Sequence, residues 1–267
     1  MWYSFYFFIL GLIIGSFVGV VIHRLPKGEQ FVSGRSRCPD CGHALRWYDL
    51  APVLSFLVLL GRCRYCRNKI SWSYPAIEIC SGIIVAVSFL FLSPFGLAYW
   101  LFWVFILELF LILAFIDLRH FILADSVMAV LLAAFACYEI LGGKVAGAGS
   151  IFSFGNLAGA VILFLVFFLV WSFSSGKWIG LGDAKLAGLL GLVFGFWNSV
   201  FILYLAVVIG VAAGLTLILS GRGNLKTKLP FGAFICFSAI VSPLFSYGIS
   251  ERIAEFFRQL IFRLNLF

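Results

Sequence analysis

Apolar residues run in blocks of about twenty, one block after another, along almost the whole chain. Blocks of that length suit helices crossing roughly 30 Å of hydrocarbon, and they are too long for barrel strands. Eight candidate spans cover residues 3–22, 75–93, 97–116, 121–141, 151–173, 184–197, 199–219 and 231–249. The sixth is the shortest. One polar segment of any size, residues 23–74, separates the first two. At the other end, Arg252, Ile253, Phe256, Phe257, Leu260 and Ile261 recur at helical spacing, which predicts an amphipathic helix on the membrane surface over 250–267. The pattern therefore predicts an all-α polytopic membrane protein of about eight transmembrane helices. It divides into a first helix (1–22), an insertion (23–74), a membrane core (75–249) and the terminal amphipathic helix.

Composition agrees. Hydrophobic residues make up 63% of the chain and charged ones 11%, where a soluble domain carries about a quarter charged. The first block has no basic residue before it and no small-residue cleavage pattern after it, so it reads as a retained helix. The net charge of +8 does not point to nucleic acid, because no stacking or base-reading motif accompanies it. Membrane topology accounts for it. With the N-terminus outside, fifteen of the nineteen Lys and Arg fall on the inner side and four on the outer. Asp117 then ends the third span and Asp183 opens the sixth. Both are expected at the cytosolic boundary.

Four cysteines stand out in the insertion: Cys38-Pro39-Asp40-Cys41 and Cys63-Arg64-Tyr65-Cys66. Two knuckles of two thiolates complete a tetrahedron, so the spacing predicts a structural Zn2+ site in a zinc-ribbon-like module. A segment this short and polar has little core of its own, which gives a metal staple a purpose. Disulfides or free thiols are the alternative, and His43 is a remote candidate ligand. Cys80, Cys137 and Cys236 lie in spans and read as packing residues.

Among the acids, Asp183 follows Gly180-Leu181-Gly182 and has a simple reading as a helix cap, as has Asp125. Asp117 is less easily dismissed, since an acid at a helix C-terminus opposes the dipole. Two carboxylates that meet can share a proton and activate water. Separate capping and pairing roles remain open on these grounds alone. Glu108 lies near mid-membrane and needs a partner or a proton. No Ser-His-Asp order, phosphate loop or His-Glu-x-x-His motif supports other hydrolytic chemistry.

Taken in order, these pieces resemble the bacterial type IV prepilin peptidases, the prepilin leader peptidase/N-methyltransferase family. The matching residues begin with Gly15-Ser16-Phe17 and Arg24-Leu25-Pro26. The two cysteine knuckles, Trp47-Tyr48-Asp49-Leu50 and Tyr74-Pro75-x-x-Glu78 follow. Asp117-Leu118-Arg119-His120, Gly180-x-Gly182-Asp183-Ala184-Lys185 and Leu229-Pro230-Phe231-Gly232 complete the set. The chain departs from the family's usual pattern at Gly19 (asparagine), Ala124 (proline) and Ala233 (proline). The resemblance implies a membrane aspartic protease with Asp117 and Asp183 catalytic and Asp125, Lys185, Gly180 and Gly182 in support. It implies prepilin or pseudopilin substrates, cut at the cytosolic face of a bacterial inner membrane. It also implies methylation of the new N-terminus with S-adenosyl-L-methionine, for which Trp47, Tyr48, Asp49, Trp72, Tyr74 and Glu78 are candidates. Those residues read equally as interfacial anchors of the insertion. A peptidase without methyltransferase activity, an assembly scaffold and an ion-coupled transporter are the competing readings.

Overall fold

The computed structural model describes residues 2–32, 34–142, 153–221, 224 and 227–245. The expected amphipathic helix at 250–267 lies outside them. Regular structure among the described residues is helical, and strand pairing is limited to two isolated bridges. The chain divides into two compact units, 1–115 and 116–267, with the division inside one helix.

The first unit contains α1 (Trp2–Arg24), the insertion, α3 (Ser73–Leu92) and most of α4 (Leu97–His120); the insertion holds a short helix, α2 (Leu54–Val58). Antiparallel packing of α1 on α3 is set by glycines. A Cβ on Gly11 would lie 2.7 Å from the Gly82 backbone, and one on Gly15 would lie 2.7 Å from Glu78 Cα. Lipid supplies no hydrophobic drive between helices, so close backbone approach through small residues takes its place. Phe7 stacks on Phe89 at 3.9 Å between ring centroids, and Trp100 closes edge-on against both.

The second unit contains the end of α4, then α5 (Asp125–Ile140), α6 (Phe154–Phe173), α7 (Leu181–Leu219) and α8 (Phe231–Phe245). Helix α5 starts later than the apolar block, because Phe121 takes a positive φ of 54° and Ala124 is extended. Two of the expected spans, 184–197 and 199–219, run together as α7. Gly195, at φ 75° and ψ 168°, breaks that helix. The carbonyls around the break take side-chain donors: Asn156 Nδ2 to Leu192 O (3.1 Å), Asn198 Nδ2 to Phe194 O (3.0 Å) and Ser199 Oγ to Gly195 O (2.7 Å). A kink inside hydrocarbon requires such substitutes. Before the break α7 packs antiparallel on α6, with Gly191 against the Gly159–Ala160 backbone; beyond it α7 packs on α8, with Gly210 against Phe234.

Among the described residues five helices are long and apolar enough to cross a membrane: α1, α3, α4, α6 and α7. The 16-residue α5 and the 15-residue α8 are shorter apolar helices. The eight expected blocks are thus all helical, three of them as α5, α8 and one part of the broken α7.

Gly191 tests the close packing. A Cβ there would meet the Gly159–Ala160 backbone at 2.7 Å, whereas one on Gly155 would meet nothing within 4 Å. Gly191→Ala is expected to destabilise the protein by about 1–3 kcal/mol. Gly155→Ala should stay within about 0.5 kcal/mol of the parent. Thermal unfolding of the two variants in detergent checks the difference.

Candidate functional site

The last turn of α4 and the first turn of α7 bring two buried carboxylates to one point. Asp117 Oδ2 accepts a 2.7 Å hydrogen bond from the backbone N–H of Ala233, in the first turn of α8. Asp183 Oδ2 accepts one of 3.1 Å from the N–H of Gly180, which precedes α7. Each acid therefore uses an N–H that a helix start leaves without an intrahelical acceptor. Asp117 opposes the dipole of its own helix, and the positive end of α8 compensates it. Asp183 is not the N-cap of its simple reading: Gly180 holds that place, and Asp183, the third residue of α7, reaches back to its N–H through Oδ2 while Oδ1 faces Gly232.

Gly232 lies between the two. A Cβ on it would be 3.0 Å from Asp117 Oδ2 and 3.0 Å from Asp183 Oδ1, so those oxygens are at most twice that distance apart. A space of that size, bounded by two carboxylates and no side chain of Gly232, suits a water and a peptide carbonyl.

The other expected supports have separate duties. Lys185 Nζ donates to Asp125 at 2.8 Å, an exposed ion pair that joins the start of α5 to α7. Gly182 gives α7 room against Leu123, whose Cβ would lie 3.2 Å from an added methyl. Ala233 is marked in the sequence only as a departure: the resemblance leads to proline there, and a proline would have no N–H to offer Asp117. That its N–H meets Asp117 is visible only once α8 has folded back.

In the insertion, the four sulfurs of Cys38, Cys41, Cys63 and Cys66 lie within 4.8 Å of one another. Cys38 and Cys66 Sγ are 3.9 Å apart. Sulfurs bound tetrahedrally to zinc would be roughly 3.8 Å apart, so the quartet fits such an ion with small adjustment. The knuckles are built alike. Cys38 N donates to His43 O, and Cys63 N donates to Asn68 O. Gly42 and Arg67 occupy equivalent left-handed positions, at φ 70° and 62°. Burial alone would push the Cys63 thiol up, but backbone N–H groups of Cys66 and Tyr65 and neighbouring thiols bring it down to about 7. His43 stacks on Tyr65 at 3.6 Å and so ties one knuckle to the other.

The six methyl-transfer candidates do not form one cluster of free groups. Asp49 is a clamp. Its carboxylate takes hydrogen bonds from Arg64 Nε (2.8 Å), Arg46 N (3.1 Å) and Tyr65 OH (3.2 Å), and its side chain is only 3% exposed. Although burial opposes it, those donors hold the Asp49 carboxyl below the usual carboxylate range. Tyr48 lies between the Arg46 and Arg64 guanidinium groups, 6.0 and 5.0 Å from its ring. Trp47 and Trp72 present exposed indole faces. Tyr74 stacks on His23 at 4.2 Å. Glu78 Oε2 accepts from Val53 N at 2.7 Å, fixing a β-branched residue at φ 59°. Deeper in the same unit, Ser81 Oγ lies 2.7 Å from Glu108 Oε1 and 2.8 Å from the Gly11 carbonyl, and its one proton serves one of them at a time; Glu108 Oε2 is buried with no hydrogen-bond partner among the described residues.

Residues 9–92, which include the cysteines, match the bacterial peptidase A24 N-terminal domain, and residues 103–215, which include both buried aspartates, match the type IV leader peptidase family. The chain is 33% identical over 252 residues to a prepilin leader peptidase/N-methyltransferase of Burkholderia pseudomallei (strain K96243), covering 85% of this chain and 80% of that one. A protein of the same description from Myxococcus xanthus (strain DK1622) is 36% identical, with 85% and 67% covered. One from Bacillus subtilis (strain 168) is 29% identical, with 91% and 94% covered. No solved structure matches the chain. With both halves matched in order and relatives aligned over most of their length, the chain belongs to the type IV leader peptidase family.

Proposed function

We propose that Asp117 and Asp183 are the acid pair with which this enzyme removes the leader of prepilins or pseudopilins, at the cytosolic face of the inner membrane. The observation that supports it most is the approach of both carboxylates to Gly232. Two acids this close share a proton. The ionised one takes a proton from water as the water attacks the scissile carbonyl. The protonated one gives its proton to the developing oxyanion. The first acid, now carrying the proton taken from water, passes it to the leaving amine as the tetrahedral diol collapses and returns a hydroxyl proton to the other acid. Gly180 N–H holds Asp183 Oδ2 and leaves Oδ1 facing the Gly232 gap, whereas Ala233 N–H holds the Asp117 oxygen, Oδ2, that itself faces that gap. Gly232 keeps the space open. The excess of Lys and Arg in the loops on the Asp117 side supports a cytosolic location.

The names of the relatives pair cleavage with N-methylation, and the insertion is the part of this chain suited to that second step. Zinc held by Cys38, Cys41, Cys63 and Cys66 would be structural, because four thiolates leave no open position. S-adenosyl-L-methionine supplies an electrophilic methyl when bound. The exposed faces of Trp47 and Trp72 suit its cationic sulfonium. Asp49 serves by position, joining the Trp47–Leu50 turn to the second knuckle through Arg64.

Asp117→Asn and Asp183→Asn are each expected to lower prepilin cleavage by at least about a hundredfold while the protein stays folded. Full activity of either variant in a detergent assay would end the proposal. Gly232→Ala, which puts a methyl between the acids, should lower kcat by about a hundredfold with a smaller change in KM. For the insertion, elemental analysis should find one zinc per chain, lost in Cys63→Ser. Mass spectrometry of the product should then show cleavage without the added methyl group. A methylated product from the metal-free variant would separate the insertion from methylation.

A further inference from the structure

The insertion carries an apolar face that none of the functions above uses. Helix α2 is short but two-sided. Phe56 turns inward, edge-on to Trp72 with ring centroids 4.7 Å apart, over Gly61, where an added Cβ would touch its ring at 3.0 Å. Leu54, Leu57 and Val58, spaced i, i+3 and i+4, share another face. Leu54 is 65% exposed, Val58 76%, and Leu60, which follows, 86%. Contiguous exposed leucines and valine on so small a module mark a contact surface.

Two observations identify what covers it. The insertion starts where α1 ends and finishes where α3 begins, and both helices are long and apolar enough to span a membrane. A segment between successive spans starts and ends at the same leaflet, so lipid headgroups are its nearest neighbour. Charge is the second. Residues 23–74 hold nine Lys and Arg against three acids, and Arg35, Arg37, Arg62, Arg67 and Lys69 are exposed. Exposed leucines beside exposed cations are the makeup of an element that lies in the headgroup region of an anionic bilayer. A free cytosolic module needs neither. We infer that the α2 face of the insertion docks into the adjacent leaflet, with Leu54, Leu57, Val58 and Leu60 among the upper acyl chains and the basic residues at anionic headgroups.

Photocrosslinking on the full chain tests this. p-Benzoylphenylalanine is placed at Leu57 and, separately, at Val58, and each protein is reconstituted in vesicles of phosphatidylglycerol and phosphatidylcholine. Unfolding in detergent at the parent temperature qualifies each variant for use. After irradiation, mass spectrometry should find phospholipid adducts as the main product at both positions. Their yield should fall at least about twofold in vesicles of phosphatidylcholine alone. Adducts to a second copy of the chain, or an unreacted probe at both sites, would overturn the inference. A lipid yield indifferent to phosphatidylglycerol would overturn its electrostatic part.

Discussion

The two aspartates buried at the ends of α4 and α7 depend on meeting hydrogen-bond donors there, because lipid supplies none. Asp117 meets the N–H of Ala233 and Asp183 that of Gly180. Both donors belong to helix starts, which carry unused N–H groups and the positive end of a dipole. The chain thus uses the ends of α7 and α8 as its polar solvent. The same need explains the break in α7, where Asn156, Asn198 and Ser199 serve carbonyls that a straight helix would have satisfied.

Glycine is the second recurring device, with two different uses. Gly11, Gly15, Gly82, Gly159 and Gly191 let backbones touch, which holds helices together where hydrophobic burial cannot. Gly232 does the opposite and holds a space open. In the insertion, the cysteine quartet and the Asp49–Arg64 ion pair take over the work of a core. The knuckles, the Asp49 clamp and the His43–Tyr65 stack are all short-range and polar.

Much of this was legible in the residues. Block length gave the helices, the cysteine spacing gave the quartet, and an acid in an awkward place singled out Asp117. The rest was hidden for physical reasons. The two spans expected at 184–197 and 199–219 are two helical stretches meeting at Gly195; apolar periodicity misplaced only their boundary, because the residues on either side are equally apolar. Glycines four apart in α1 were not read as a packing surface, because the sequence does not show that α3 lies against them. The importance of Ala233 rests on a backbone atom, and side-chain chemistry carries no sign of it. Asp49 was read as a methyl-transfer candidate or an interfacial anchor because the sequence does not show that Arg64 lies against it.

The bond between Asp117 and Ala233 joins residues 116 positions apart. A ribosome must deliver α5, α6 and α7 before the helix that steadies Asp117 exists. Chains fold from the N-terminus as they are made, so the proposed acid pair is completed among the last parts of the molecule, and a half-made copy carries Asp117 without the N–H that holds it.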